Sequence, residues 1–367
     1  MKNKKNIGLL AAAALAGLSV IACGGAVITG LSPEGEEAGL IELTSEAYFT
    51  TYPAPLTIGG VQHNAGAAIT GLSPEGEEAG LTELNIPPAI NDVPITGIGH
   101  TAFWWRSWFA GNRDRLARVI IPYGVQSIGL WAFVSNSLAE VTIPSSVQSI
   151  EWGAFANNNL TEVTIPGSVQ TIGSWAFERN SLTEVTILYG VQSIGWGAFA
   201  INNLSKVTIP SSVQTIGGLA FVGNSLTEVT IPSSVHTIGS WAFERNSLTE
   251  VTIPYGVQSI GWGAFAGNSL TEIIIPSSVQ TIGPQAFTGK PLASITIFAT
   301  DSGPVGTIEL EASAGNPLTR VTFMGTPSNV DETAFEPGGG DIVTGLAGAT
   351  QPVTFVRTAD GQSWDLE

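Results

Sequence analysis

The 367-residue chain contains a single cysteine, Cys23, so it can form no internal disulfide and no thiolate cluster for a metal. Charge is scarce as well, with Asp, Glu, Lys and Arg together supplying 12% of the residues. Helical bundles need many Lys and Glu on their wet faces. The abundant Gly, Ser, Thr and Asn suit tightly turned coils with neutral polar surfaces instead. Basic residues are the rarer sign, 13 against 30 acidic, an excess that repels nucleic acid and anionic membrane surfaces and excludes both as main partners. The chain has no Ser/His/Asp or Cys/His constellation and no metal-spaced cluster, so it offers no catalytic residue, metal ligand or cofactor site. His236 stands alone at a position where the other coils carry Gln, which makes it a neutral surface substitution. Carboxylates paired apart from any repeat, as a glycoside-cleaving enzyme requires, are also missing.

What the chain does have is a repeat. From residue 116 to 287 one cassette, of the form LTEVTIPSSVQTIGxxAFxxNx, recurs with a step of 22 residues. The Phe of an Ala-Phe pair falls at 133, 155, 177, 199, 221, 243, 265 and 287, and Asn at 136, 158, 180, 202, 224, 246 and 268. Pro precedes the first turn of each coil except where Leu188 replaces it. A constant period of this size specifies a solenoid whose coils bury their apolar edges against one another.

Within one coil, Val141 and Ile143 alternate with Glu140 and Thr142, which predicts a half-buried strand. Pro144 ends it, because proline cannot donate to the ladder. A second extended piece covers 147–150, and the Gly that follows in most coils is expected to permit a bend. The Phe residues are expected to form the spine. The Asn amides are expected to bond turn backbones and one another from coil to coil.

The cassette resembles the leucine-rich repeat of the BspA-like, Treponema-type surface proteins, whose pattern runs Leu-x-x-Ile-x-Ile-Pro-x-x-Val-x-x-Ile-Gly-x-x-Ala-Phe-x-x-Cys. The match covers 81–335, with Asn here where the family often has Cys. The resemblance implies a β-rich leucine-rich-repeat solenoid with short parallel strands, capped at both ends. It further implies a bacterial surface location and roles in adhesion or protein binding, and it transfers no catalytic residue.

The N-terminus reads as a targeting segment. Lys2, Lys4 and Lys5 precede an apolar run, 7–21, that is short for a permanent membrane span. It ends in Val20-Ile21-Ala22-Cys23, which resembles the lipobox of bacterial lipoproteins and implies acylation at Cys23 after removal of residues 1–22. The mature chain would then hold ten basic residues against 30 acidic ones, a formal charge of −20, and would meet the membrane only through its lipid. Residues 23–66 read as a linker and degenerate segment, 67–335 as the solenoid and 336–367 as a C-terminal cap.

Three places are candidates for binding. Glu140, Glu162, Glu184, Glu228, Glu250 and Glu272 form an outward column interrupted by Lys206. An insertion after Phe103 gathers Trp104, Trp105, Arg106, Trp108, Arg113 and Arg115, either as an N-terminal cap or as a binding loop. The tryptophans divide into two sets. Trp131, Trp175 and Trp241 lie two residues before the Phe, whereas Trp152, Trp196 and Trp262 lie three before it. If the chain is extended there, the first set is buried beside Phe and the second points outward, where it could stack on sugars or anchor a protein; alternatively both sets pack as spacers. The expected function is a lipid-anchored, non-enzymatic adhesin for a protein or glycan on another surface. The alternative is a self-associating surface-layer protein with no foreign ligand.

Overall fold

The computed structural model describes residues 49–53, 56–58, 61–63, 67–72, 82–90, 92–104, 116–289, 291–298, 307–308, 313, 316–324, 329–330, 335, 352–358 and 362–367. Among them there is no helix; every regular element is a short strand. The chain is a parallel β-solenoid of about nine coils, with about 22 residues per turn.

Each regular coil has three sides. The first carries the alternating strand, seen in Glu162–Ile165 and Glu184–Ile187 as exposed Glu and Thr against buried Val and Ile. These strands pair in parallel, Glu162 with Glu184 and Ile165 with Ile187, and end before the proline column. Where Leu188 replaces proline, its restored N–H donates to the Ile165 carbonyl at 3.0 Å. The second side is a two-residue strand such as Thr171–Ile172, and these run through one 14-stranded sheet. The third side is built by turns. The Ala-Phe pair sits inside each turn, and backbone bonds such as Phe155 N–H to the Ala176 carbonyl (2.8 Å) join successive coils.

Inside, Phe103 and the eight periodic Phe rings form one stack, with centroids 5.1–5.8 Å apart and planes within 15° of parallel. Burying each ring contributes about 1.5–3 kcal/mol. The Gly before the turn, present in every regular coil except the one with Glu151, answers close packing and not a bend. A Cβ at Gly195 would come within 2.5 Å of the Ile172 carbonyl oxygen of the preceding coil.

The Asn column also differs from expectation, since its amides bond backbone and not one another. Asn180 Nδ2 donates to the carbonyls of Phe155 (3.0 Å) and Phe177 (3.1 Å), while its Oδ1 accepts the Leu160 N–H at 3.1 Å. Two adjacent coils offer carbonyls that no strand uses, and these satisfy both amide protons. Asn180→Ala leaves the Leu160 N–H unpaired, while the Phe155 and Phe177 carbonyls each lose one donor and keep Asn158 and Asn202; the expected loss is about 1–3 kcal/mol, readable by chemical denaturation.

At the N-terminal end, the described parts of the expected linker and degenerate segment, 49–53, 56–58 and 61–63, are strands. Phe49–Pro53 pairs antiparallel with Ala67–Leu72, and Leu56–Ile58 forms a hairpin with Val61–His63. An antiparallel neighbour closes an edge that would otherwise expose unpaired backbone. At the other end Val353–Arg357 pairs antiparallel with Arg320–Met324, and Trp364–Leu366 with Val353–Arg357.

Candidate binding faces

On the first side, Glu140, Glu162, Glu184, Lys206, Glu228, Glu250 and Glu272 are all exposed, with the threonines at 142, 164, 186, 208, 230 and 252 forming an exposed strip beside them. Carboxylates on neighbouring parallel strands, about 4.8 Å apart, repel one another. Two contacts relieve this: Arg118 Nε lies 3.1 Å from Glu140, and Lys206 Nζ lies 2.6 Å from Glu228. Glu162, Glu184, Glu250 and Glu272 make no ion pair among the described residues. Arg118 and Arg320 occupy this same column, in register with Glu140 and Ser294, so it carries basic residues near both ends as well as in the middle. The signal was present in the strand phase, Arg118-Val119-Ile120 one 22-residue step before Glu140 and Arg320-Val321-Thr322 after a coil four residues longer.

Where the first side turns into the second, Tyr123, Tyr189 and Tyr255 stand 78%, 75% and 72% exposed. Their signal in the sequence is a Tyr-Gly pair recurring every 66 residues.

The third side carries the tryptophans and requires a correction. Trp152, Trp196 and Trp262 are exposed (45%, 42% and 46%), but Trp131, Trp175 and Trp241 are only half-buried and do not share the Phe core. The local chain is not extended. Trp131, Trp175 and Trp241 have φ of 54°, 58° and 56°, the left-handed region, and this brings both sets out on one side. Trp131 and Trp152 rings then lie 5.2 Å apart, as do Trp241 and Trp262, and Trp104 lies 5.8 Å from Trp131. Trp104 is 47% exposed; Trp105, Arg106, Trp108, Arg113 and Arg115 lie outside the described residues, as does Cys23.

Beside the tryptophans, Glu178 and Glu244 are half-buried and pair with the exposed Arg179 and Arg245, at 3.4 and 3.5 Å through Nε. Burial raises the Glu178 carboxyl above its ordinary value, and Arg179 pulls it partly back. Farther toward the N-terminus, Glu151 occupies the column held by Gly in the other regular coils. Its carboxylate accepts the Leu130 N–H (2.8 Å) and lies 2.9 Å from His100 Nε2. This ties the first complete coil to the third. Near the C-terminal end a shallow open recess, lined by Phe265, Phe287, Thr288 and Asn316 among others, lies where Ser313 takes the place of the next Phe.

The BspA type leucine-rich repeat region family matches residues 106–226 and 214–338. The chain is similar in structure to a leucine-rich repeat protein from Bacteroides ovatus, at 20% identity over 79% of this chain and 78% of that one, with a TM-score of 0.51. It is also similar to the pneumococcal vaccine antigen PcpA, at 20% identity over 78% of this chain and 88% of that one, TM-score 0.45. A leucine rich cell surface protein from Faecalibacterium prausnitzii is a further match, at 20% identity over 77% and 95%, TM-score 0.35. The first of these supports the fold alone. No curated protein matches the sequence.

Proposed function

Because the chain belongs to the BspA-type leucine-rich repeat family, we propose that it is a non-enzymatic binding scaffold, held by lipid at the bacterial cell surface and used for adhesion. The observation that carries this reading is the display of side chains in columns on a rigid core, Glu and Thr on one side and Trp on another. A rigid periodic face fits a macromolecular partner, because its contacts are spread along the stack and do not converge on one reacting atom. The anchor is supported by Lys2, Lys4 and Lys5, the apolar run after them and Val20-Ile21-Ala22-Cys23. The acidic chain would be repelled by an anionic lipid surface, so attachment falls to the acyl chains.

Bacteria displaying the full chain should adhere to immobilised mucin, to extracellular-matrix protein or to a second cell layer more than vector controls do. Cys23→Ser should move the protein from the membrane fraction to the soluble fraction and remove the adhesion. Equal adhesion by displaying and control cells would refute the scaffold reading, and a Cys23→Ser chain still in the membrane fraction would refute the anchor. Strong concentration-dependent association of the soluble chain in sedimentation, without adhesion, would favour the self-associating alternative.

A further inference from the structure

We propose that the third side of the solenoid carries two copies of a carbohydrate-binding patch, three coils apart, which together take a glycan chain. The inference rests on the adhesive reading above and names its ligand class.

The first copy is made by Trp175, Glu178 and Arg179 with Trp196 of the next coil. The Glu178 N–H donates to the Trp175 carbonyl at 3.1 Å, so the indole and the carboxylate leave the two ends of one four-residue turn whose middle, Ala176-Phe177, is buried. The Trp175 N–H donates to the Trp196 carbonyl at 2.7 Å, which holds the two turns together so that both tryptophans leave the same side. The second copy has the same residue types and backbone bonds, Trp241, Glu244, Arg245 and Trp262 with the 3.1 Å turn bond and the 2.7 Å bond between coils, and there the two rings lie 5.2 Å apart and Trp262 Nε1 donates to Gln285 Oε1 at 3.3 Å. Between the copies lie three steps of the Phe stack, each 5.4–5.6 Å, or about 16 Å along the solenoid. The coil between them carries Gly218, Leu219, Val222 and Gly223 at the corresponding positions and offers neither indole nor charge.

Three features select a glycan. An indole that is half open to solvent presents apolar area together with an N–H donor, which suits the mixed surface of a sugar ring. The adjacent Glu–Arg pair supplies acceptors and donors at nearly zero net charge, and sugar hydroxyls need both. The ion pair meets Arg through Nε, and the Arg179 and Arg245 side chains are 64% and 79% exposed, so much of each guanidinium faces solvent. A protein anchor would instead call for a desolvated pocket at the centre of the contact, and this side is a ribbon. The repetition itself is the third feature. Two patches of the same residue types, built on the same backbone bonds and set in one line, match a ligand built from repeating units, whereas a globular protein surface seldom repeats. Joining two weak sites gains a factor of about 10²–10⁴ in apparent affinity over either alone.

The test uses the displayed full chain on surfaces coated with mucin, native or chemically deglycosylated, together with a printed array of neutral and uronate-bearing oligosaccharides. Arg179→Ser and Arg245→Ser are suitable variants, since Ser135 holds the same turn position with φ 59° in another coil. The native coat should bind and the deglycosylated coat should not. Either single variant should weaken binding about tenfold or more, and the double variant should abolish it with an unchanged melting temperature. Trp196→Leu and Trp262→Leu should reproduce the loss while Tyr189→Ser leaves it intact. Equal binding to deglycosylated mucin would overturn the glycan patch while leaving the adhesive reading standing, as would array binding indifferent to both arginines. No binding to any coat or oligosaccharide overturns the patch as well, and adhesion to extracellular-matrix protein or cells then decides the adhesive reading separately.

Discussion

Phe199→Ala is expected to lower the stability of the solenoid by about 3–5 kcal/mol, the upper range for a core truncation. The ring is fully buried and lies between Phe177 and Phe221, at 5.5 and 5.6 Å with planes tilted 7° and 10°. Both of its faces are therefore covered by other rings, and removal forfeits contacts on two sides at once. The neighbours cannot close the gap, because the strands on either side are in register and fix the coil spacing. In a one-dimensional stack each coil is stabilised by its nearest neighbours, so a hole in the middle weakens two interfaces and leaves two shorter arrays. Denaturation should change from one transition to two, with the N- and C-terminal segments separating. Ser313 supplies a natural comparison, because at the coil where it replaces Phe the ring stack ends and a recess opens against Phe287. A single unshifted transition, with a loss under about 1 kcal/mol, would contradict a continuous Phe spine.

The coil was legible in the sequence because its inward residues obey simple periods. Val163, Ile165 and Phe177 are apolar, repeat every 22 residues and are buried, and nothing local competes with that reading. The Glu column was legible for the same reason, since Glu162 and Thr164 alternate with Val163 along an ordinary strand. The tryptophan side was not. A period-two argument assumes extended backbone, and the residue two before each Phe is left-handed whether it is Trp175, Leu219 or Gln285. No composition signal marks that conformation, because glycine, which would mark it, fills the position only in some coils. Leucine, glutamine and tryptophan are held there by the backbone bonds to the coils on either side. Arg118 was legible too, one 22-residue step before Glu140, whereas the four extra residues before Arg320 displace it from that step. The role of Asn180 was half legible, since its need for partners was plain but the choice of carbonyls depends on how closely the turns approach.

Once that conformation is known, the divided tryptophans acquire a physical cause, and it predicts a rescue. Each indole two residues before a Phe is followed, one coil later, by glycine at the same position: Trp131 by Gly153, Trp175 by Gly197 and Trp241 by Gly263. A Cβ at Gly197 would lie 2.3 Å from Cε3 of Trp175, so the indole occupies the space that a side chain would need. In the following coil the tryptophan then stands one residue earlier, at 152, 196 and 262. Gly197→Ala therefore suffers twice, about 1 kcal/mol for a left-handed alanine and about 1–3 kcal/mol for overpacking against the ring. Trp175→Leu should remove the second cost and leave the first, because Leu219 already occupies the equivalent position directly before Trp241, a coil with a full side chain there. In a double-mutant cycle read by denaturation, Gly197→Ala should cost about 2–4 kcal/mol in the native background and about 1 kcal/mol in the Trp175→Leu background, a coupling of about 1–3 kcal/mol. Equal costs in the two backgrounds would mean that the ring and the glycine do not compete for the same space, and the placement of tryptophan along this face would need another cause.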